Sequence, residues 1–325
     1  MKKISIIVPC YKEEPNIEPM ADALTQVMKA YEGKYDYEIL FRDNASPDNT
    51  LSEMKKVAER DKHIKVIVNA RNYGVLPGRD TFIGRLTGDA ILYISADFQD
   101  PPELIHEFIK YWEKGYEAVC GQKYASKEGR FKYGLRQLFY NVIDMFTSIP
   151  QYRNVSGMYL LSRKLYEYYS AGDMDLRFFL ADVGCDVKLI RYEQQKRRAG
   201  RSSYNIWRSL SFAIYSLISI STAPLRLATV IGFIMSILSF LVGLAYLIYK
   251  LVLWDRFDAG AAPILIGVFF IGSILLFFLG ILGEYIGVIY RKVAHKNPTF
   301  VKELINFDNA KDDPYLYASE ISDEK

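Results

Sequence analysis

Hydrophobic and polar positions follow two different patterns along this chain, and the change between them divides it. Up to about Tyr204, apolar runs of strand length alternate with stretches of helical spacing. Ile4 to Val8 precedes Asn16 to Tyr31, Tyr37 to Phe41 precedes Thr50 to Arg60, and Ile64 to Val68 precedes Val75 to Leu86. Ala90 to Ile94, Pro102 to Gly115 and Ala118 to Gly121 continue the alternation. Strict β/α alternation predicts a mainly parallel sheet with helices on both faces, and in such sheets ligands bind at the carboxyl ends of the strands. The loops expected to share that edge are 9–14, 42–46, 69–74 and 95–103, a composite nucleotide site.

Beyond Ile206 polar positions become rare. Leu227 to Leu253 carries one charge, Lys250, and Pro263 to Ile289 carries only Glu284. Each run exceeds the roughly 20 apolar residues that cross a bilayer. Two transmembrane helices are therefore expected, at about 226–253 and 263–290 within a membrane segment 226–292. Glu284 reads either as a functional intramembrane acid or as an interfacial carboxylate near Arg291. Lys196, Arg197, Arg198, Arg201, Arg208 and Arg226 gather before the first span, and Arg291, Lys292, His295 and Lys296 follow the second. By the positive-inside rule both flanks face the cytosol, with residues 1–204 as a cytosolic domain and 293–325 as a cytosolic tail. Residues 205–225, with Trp207 and Tyr215 among irregular apolar positions, predict an interfacial helix. Met1-Lys2-Lys3 runs straight into a strand, so no signal peptide is expected.

Composition adds little to this division. The net charge is +3, and Cys10, Cys120 and Cys185 are scattered without metal or redox spacing, which predicts reduced thiols. No glycine-rich phosphate loop of the Walker or dinucleotide type is present, which argues against a P-loop ATPase or a nicotinamide-dependent dehydrogenase. No nucleic-acid partner is expected.

The segment Ser95-Ala96-Asp97-Phe98-Gln99-Asp100-Pro101-Pro102-Glu103 concentrates the candidate chemistry. Oxygen ligands at the end of a buried strand suit a hard divalent cation that grips a diphosphate. The same residues also suit a plain turn in which Asp97 or Asp100 caps the following helix. The stretch Lys123, Tyr124, Lys127, Arg130, Lys132, Tyr133, Arg136 fits a solvated helix face or, beside a membrane, a receptor for a lipid phosphate.

Several motifs in order resemble glycosyltransferase family 2, of the polyisoprenyl-phosphate type with two C-terminal spans. Ser5 to Glu14 resembles the family's opening strand and Pro-x-Tyr-Asn-Glu loop, with Lys12 replacing Asn. Phe41 to Thr50 is similar to its Val-Asp-Asp-Gly-Ser-x-Asp-x-Thr segment, with Asp43 kept and Asn44 in place of the second acid. Asn72-Tyr73-Gly74 stands where the family has Asn-Phe-Gly, and Gln99 to Glu103 continues its Asp-x-Asp motif. Arg198-Ala199-Gly200-Arg201-Ser202-Ser203-Tyr204 resembles the Arg-x-x-Gly-x-Ser-Lys-Tyr loop.

This resemblance implies a GT-A catalytic domain that moves a sugar with inversion from a nucleotide-sugar, a UDP-sugar first, to undecaprenyl phosphate at a bacterial inner membrane. It assigns Pro9, Tyr11, Glu13, Asp43, Asn44 and Ser95 to the nucleotide, and Asp97 and Gln99 to Mg²⁺ or Mn²⁺. Arg130, Lys132, Arg136, Arg201 and Ser202 would receive the acceptor phosphate, with Asp97 and Arg198 as the catalytic pair. A homo-oligomer is implied as well, for which Gly232, Ser236 and Ser239 permit close helix packing.

Three departures bear on mechanism: Ser95 replaces the first Asp of Asp-x-Asp, Gly157 replaces an Asp after Ser156, and Ser203 replaces Lys. A sugar hydroxyl needs a general base, whereas a lipid phosphate is already anionic at neutral pH. Loss of the acid at 157 therefore suits a phosphate acceptor. It suits equally a membrane-anchored sugar-nucleotide binding or scaffold protein without turnover. A processive polysaccharide synthase fits poorly, since it needs more spans and a base.

Overall fold

The computed structural model describes residues 1–74, 81–82, 84–125, 141, 152–172, 174–198, 218, 222–252, 261–293, 299–308 and 316. Its first strand, β1 (Lys2–Cys10), buries Ile4, Ile6, Ile7 and Val8 on both faces, as the near-continuous apolar run of a central parallel strand requires. β2 (Tyr35–Asp43) and β4 (Ala90–Tyr93) flank it in parallel, and β3 (Ile64–Asn69) lies parallel to β2. The strand expected at Ala118 to Gly121 is β5 (Ala118–Ala125), and beyond the alternation read from sequence the sheet adds β6 (Val155–Ser162), β7 (Val187–Glu193) and β8 (Val301–Ile305). The spatial order is β7-β5-β6-β4-β1-β2-β3-β8, with β6 and β8 running against the others.

Alternate residues of each central strand feed two cores. Ile6, Ile39 and Val66 face the layer of α1 (Ile17–Lys29), α2 (Thr50–Arg60) and α3 (Ile105–Glu113). Ile7, Leu40 and Ile67 face the other layer, which includes α4 (Arg163–Ala171) and α5 (Leu176–Val183). In α1 the buried positions Ile17, Met20, Ala21, Leu24 and Met28 fall at helical spacing and form one stripe. Truncating Leu24, fully buried, would cost about 2–5 kcal/mol.

The strand ends opposite the catalytic edge are locked by a buried carboxylate. Glu38 of β2 accepts hydrogen bonds from Ser5 Oγ, from Thr87 N at 2.7 Å and from Lys65 Nζ at 2.8 Å. Burial alone would raise its pKa, but these donors overcome that and hold it below the ordinary glutamate value. Gly88 packs against the same point: a Cβ there would lie 2.5 Å from Ser5 N, so only glycine fits.

The helix expected over Val75 to Leu86 falls largely outside the described residues, and its end, Gly84 and Arg85, forms a turn. The interfacial helix expected at 205–225 likewise lies almost wholly outside them.

The second unit contains two long helices, α6 (Ala223–Val252) and α7 (Ala261–Val293). Within them Pro224–Ala245 and Phe270–Tyr290 are long and apolar enough to cross a membrane, with mean hydropathy 2.4 and 2.0. At 1.5 Å per residue each spans roughly 30 Å, the thickness of the hydrocarbon core. Gly232 of α6 faces the Phe278 ring of α7, 3.7 Å from where its Cβ would stand, so this small residue serves packing inside the hairpin. After α7 the chain returns to the first unit, and β8 pairs antiparallel with β3. The expected cytosolic tail thus contains a strand of the catalytic sheet. Asn306 fastens it by donating from Nδ2 to Ala58 O and Ile64 O, both at 2.7 Å.

Candidate active site

The carboxyl ends of β1, β2 and β4 carry three short loops, and each contains a non-glycine residue in the left-handed region: Lys12 (φ 60°), Ala45 (φ 57°) and Phe98 (φ 58°). Such residues cost about 1 kcal/mol or more each and persist where the fold over-determines the loop. Their convergence on one edge marks the place where the backbone serves something other than packing.

In the first loop Pro9 and Tyr11 are half-buried, and Lys12 Nζ lies 5.6 Å over the Tyr11 ring. The Lys12 amide donates to Ser46 Oγ at 3.0 Å, which ties this loop to the second. Glu13 is 8% exposed; its Oε2 accepts from Asn16 Nδ2 at 2.6 Å, and burial raises its pKa. In the second loop Asp43, 1% exposed, accepts from the Ser46 amide at 3.0 Å. Its neighbour Asn44 is committed to the loop after β3. Asn44 Nδ2 donates to Asn72 Oδ1 (2.9 Å) and Gly74 O (3.3 Å), while its Oδ1 accepts from Asn69 Nδ2 (3.0 Å) and Tyr73 N (3.1 Å). An aspartate could make only the second pair. Asn44 thus clasps the 69–74 segment through all four of these hydrogen bonds.

The β4 loop decides between the two readings of its acids. The turn that opens α3 begins after Pro101 and has no side-chain cap, so neither Asp97 nor Asp100 caps it. Asp97 is 5% exposed; its Oδ1 accepts from Gln99 N (3.1 Å), and its Oδ2 from Arg197 Nε (3.1 Å) and Nη2 (2.9 Å). Arg197 Nη2 also lies 3.7 Å from Glu13 Oε1. One guanidinium thus sits between two carboxylates from different loops. Asp100 is 3% exposed, accepts from the Tyr192 hydroxyl, and has its pKa raised by burial against that hydrogen bond.

Strand register brings together two of the three departures. β6 runs against β4 with Tyr93 opposite Tyr159, and continuing that register sets Ser95 opposite Gly157. A Cβ on Gly157 would lie 3.6 Å from Ser95 Oγ and 3.9 Å from Asp100 Oδ2. The two positions that lack the expected acids are therefore neighbours.

Arg197 comes from the end of β7, which runs parallel to β5 and delivers residues 194–198 to the same edge. Gln195 N donates to Gln99 O (3.0 Å) and Arg198 N to Asp97 O (3.2 Å), so this segment straps across the β4 loop. The Arg198 guanidinium itself lies 5.2 Å over the Phe98 ring. Arg197 was not singled out from sequence, although the signal was present: counting three residues back from Gly200 in Arg-x-x-Gly reaches Arg197, not Arg198. Arg130, Lys132, Arg136, Arg201 and Ser202 lie outside the described residues.

Among the described residues no three His, Cys, Asp or Glu side chains cluster as a protein-only metal site. What the edge offers is the Asp97 carboxylate and the half-buried Gln99, with Glu13 close by and a cation already held between the acids. That donor set fits a hard divalent ion whose remaining ligands are water and a substrate diphosphate, as magnesium-type ions prefer.

A doubly layered α/β sheet with acidic loops at its carboxyl edge, followed by two helices of membrane length, is the arrangement that the resemblance to glycosyltransferase family 2 implies. Comparison with known proteins agrees: residues 5–171 match glycosyl transferase family 2, and residues 223–289 match the GtrB C-terminal hairpin. The chain belongs to glycosyl transferase family 2 and is a glycosyltransferase. It is 31% identical to an uncharacterized glycosyltransferase of Synechocystis over 93% of this chain and 95% of that protein. It is 30% identical to the bactoprenol glucosyl transferase of Shigella phage SfV over 92% of this chain and 98% of that protein. Among solved structures, the mannosyltransferase PcManGT from Pyrobaculum calidifontis, in complex with GDP-Man and Mn²⁺, aligns with 90% of this chain and 88% of its own, at TM-score 0.45 and 16% identity.

Proposed function

We propose that this enzyme transfers a sugar, with inversion, from a nucleotide-sugar to undecaprenyl phosphate at the cytosolic face of a bacterial inner membrane. The donor is a UDP-sugar. The observation that carries this reading is the union, in one chain, of the carboxylate edge with a membrane hairpin whose two flanks both return to the catalytic sheet. An even number of crossings between β7 and β8 fits this reading, and the cations on both flanks of the hairpin support a cytosolic orientation. Relatives named for bactoprenol glucosyl transfer, similar along nearly their whole length, support the acceptor class.

Pro9, Tyr11, Glu13 and Asp43 line the nucleoside side of the edge, with the 69–74 loop held in place by Asn44. Asp97 and Gln99, beside Ser95, would hold Mg²⁺ or Mn²⁺ where the donor diphosphate binds. When bound, that ion offsets charge developing on the departing diphosphate. Arg198, Arg201 and Ser202 of the juxtamembrane segment, together with Arg130, Lys132 and Arg136, receive the acceptor phosphate. Guanidinium groups suit this task because they bind phosphate oxygens in pairs.

No base is required of the chain. The position where the family resemblance implies an acid is Gly157, and the nearest carboxyl group, Asp100, is buried and bound by Tyr192. A phosphate monoester attacks the anomeric carbon through an oxygen that is already anionic. The phosphate–sugar bond forms as the sugar–diphosphate bond breaks, and the nucleoside diphosphate leaves with the electron pair.

The test is a transfer assay with purified protein, undecaprenyl phosphate, radiolabelled nucleotide-sugars and Mg²⁺ or Mn²⁺. Lipid-soluble label is expected, falling at least about a hundredfold in Asp97→Ala, the scale set by removing one electrostatic group from a reaction centre. Binding of nucleotide-sugar with no transfer under either metal would instead favour the scaffold reading.

A further inference from the structure

We infer that Arg197 is a resident counter-cation of the donor site: without donor it occupies Asp97, so the Arg197–Asp97 pair and a divalent ion on Asp97 exclude one another. The metal then loads together with the diphosphate rather than before it. This inference rests on the proposed role of Asp97 as metal ligand.

Three observations carry it. First, the Asp97 oxygen that faces Arg197 is already occupied. Asp97 Oδ2 takes both Arg197 donors, Oδ1 takes the Gln99 amide, and the side chain is only 7% exposed. Second, the same Nη2 approaches Glu13, so two acids and one guanidinium form a compact unit with a single residual negative charge. A free dication entering beside the guanidinium meets a like charge, and displacing it breaks both Arg197–Asp97 hydrogen bonds. An arriving diphosphate removes this penalty because it brings anionic oxygens that the displaced arginine can bind. Third, the segment carrying Arg197 is held independently of its side chain. Gln195 N to Gln99 O, Arg198 N to Asp97 O and the Tyr192 hydroxyl to Asp100 all remain when the guanidinium turns away. The side chain can therefore exchange partners while its backbone stays over the site.

The test is Mn²⁺ binding by electron paramagnetic resonance of the free ion, on full-length protein in detergent, with and without UDP. Without UDP, Arg197→Gln is expected to bind Mn²⁺ about tenfold more tightly than wild type, the scale of losing one charge-assisted contact. With UDP present the difference should shrink to about twofold. Unchanged Mn²⁺ affinity in Arg197→Gln without UDP overturns the inference. Should that variant fail to fold, Arg197→Lys, with one donor point instead of a fork, carries the same test: tightening of about threefold supports the exclusion and no change overturns it. Adding Asp97→Asn to either variant separates the two readings. If the double variant keeps the tightened affinity, Asp97 is not the ligand and the proposed metal site falls on its own account. If it loses Mn²⁺ while the single arginine variant gains nothing, only the counter-cation inference falls.

Discussion

Gly157 and Ser95 face each other across β6 and β4, and their chemistry makes sense as a pair. An acid at 157 would place its Cβ 3.6 Å from Ser95 Oγ and 3.9 Å from the buried Asp100 carboxyl. In a site that must admit both a diphosphate and a second phosphate, that is an unfavourable place for another negative charge. Gly157→Asp is therefore expected to lower kcat/KM for lipid-phosphate transfer by about tenfold, some 1.4 kcal/mol of transition-state stabilisation, rather than to restore activity. A steady-state comparison at fixed donor measures it, and an increase would show that a general base is needed after all. Asn44 gives a second test at this scale. Asn44→Ala removes four hydrogen bonds to the 69–74 loop, and the donor KM should rise about tenfold with kcat little changed. Asp43, Asp97 and Glu13 were legible in the sequence because motif and strand end coincide there. Arg197 was legible only by its exact spacing to Gly200, because it stands beside another arginine; its contacts with Asp97 and Glu13 single it out. Asn44 was legible as a motif position, but its work as a clasp depends on partners nearly thirty residues away.

At the scale of elements, the carboxylate of Glu38 joins β1, β2 and β3 at the end of the sheet opposite the catalytic edge. Because its pKa is depressed in the folded state, its stabilisation is fully present above its unfolded value of about 4.3 and is lost as pH falls through the lower folded value. Thermal unfolding should therefore show a loss of stability on acidification below about pH 4.3 that Glu38→Gln lacks. At neutral pH that variant should itself be less stable by about 3 kcal/mol, since Lys65, 14% exposed, is left without its carboxylate. Equal acid sensitivity in both proteins would contradict this. The first five strands and the helices α1, α2 and α3 could be read from sequence because they repeat the same strand-to-helix change of period. β6, β7 and β8 break that rhythm. β6 follows a segment with no strand-to-helix signal of its own, β7 is a half-buried edge without clean alternation, and β8 is short and lies beyond a membrane helix.

For the whole molecule, the return of the chain after the hairpin ties membrane topology to the catalytic fold. β8 covers the edge of β3, Lys55 pairs with Glu303 at 2.8 Å, and Phe300 donates its amide to the Tyr73 hydroxyl at 3.3 Å. Removing residues 297–325 would uncover that edge and loosen the 69–74 loop. The truncated protein should aggregate more readily and bind donor more weakly, which size-exclusion chromatography and nucleotide titration would measure. A reporter fused at the C-terminus should be cytosolic. The two long apolar helices were plain in the sequence, since length and lack of charge suffice for them. That the tail is a strand was not, because β pairing of five residues depends on a partner more than two hundred positions away.

The central claim is that the acceptor is a lipid phosphate and that the chain needs no base to activate it. Mass spectrometry of the lipid product formed from undecaprenyl phosphate and a nucleotide-sugar addresses this most directly. The expected product is undecaprenyl monophosphate carrying one added sugar residue, formed by wild type and lost in Asp97→Ala. A lipid diphosphate sugar, or bound nucleotide-sugar with no lipid product, would contradict it.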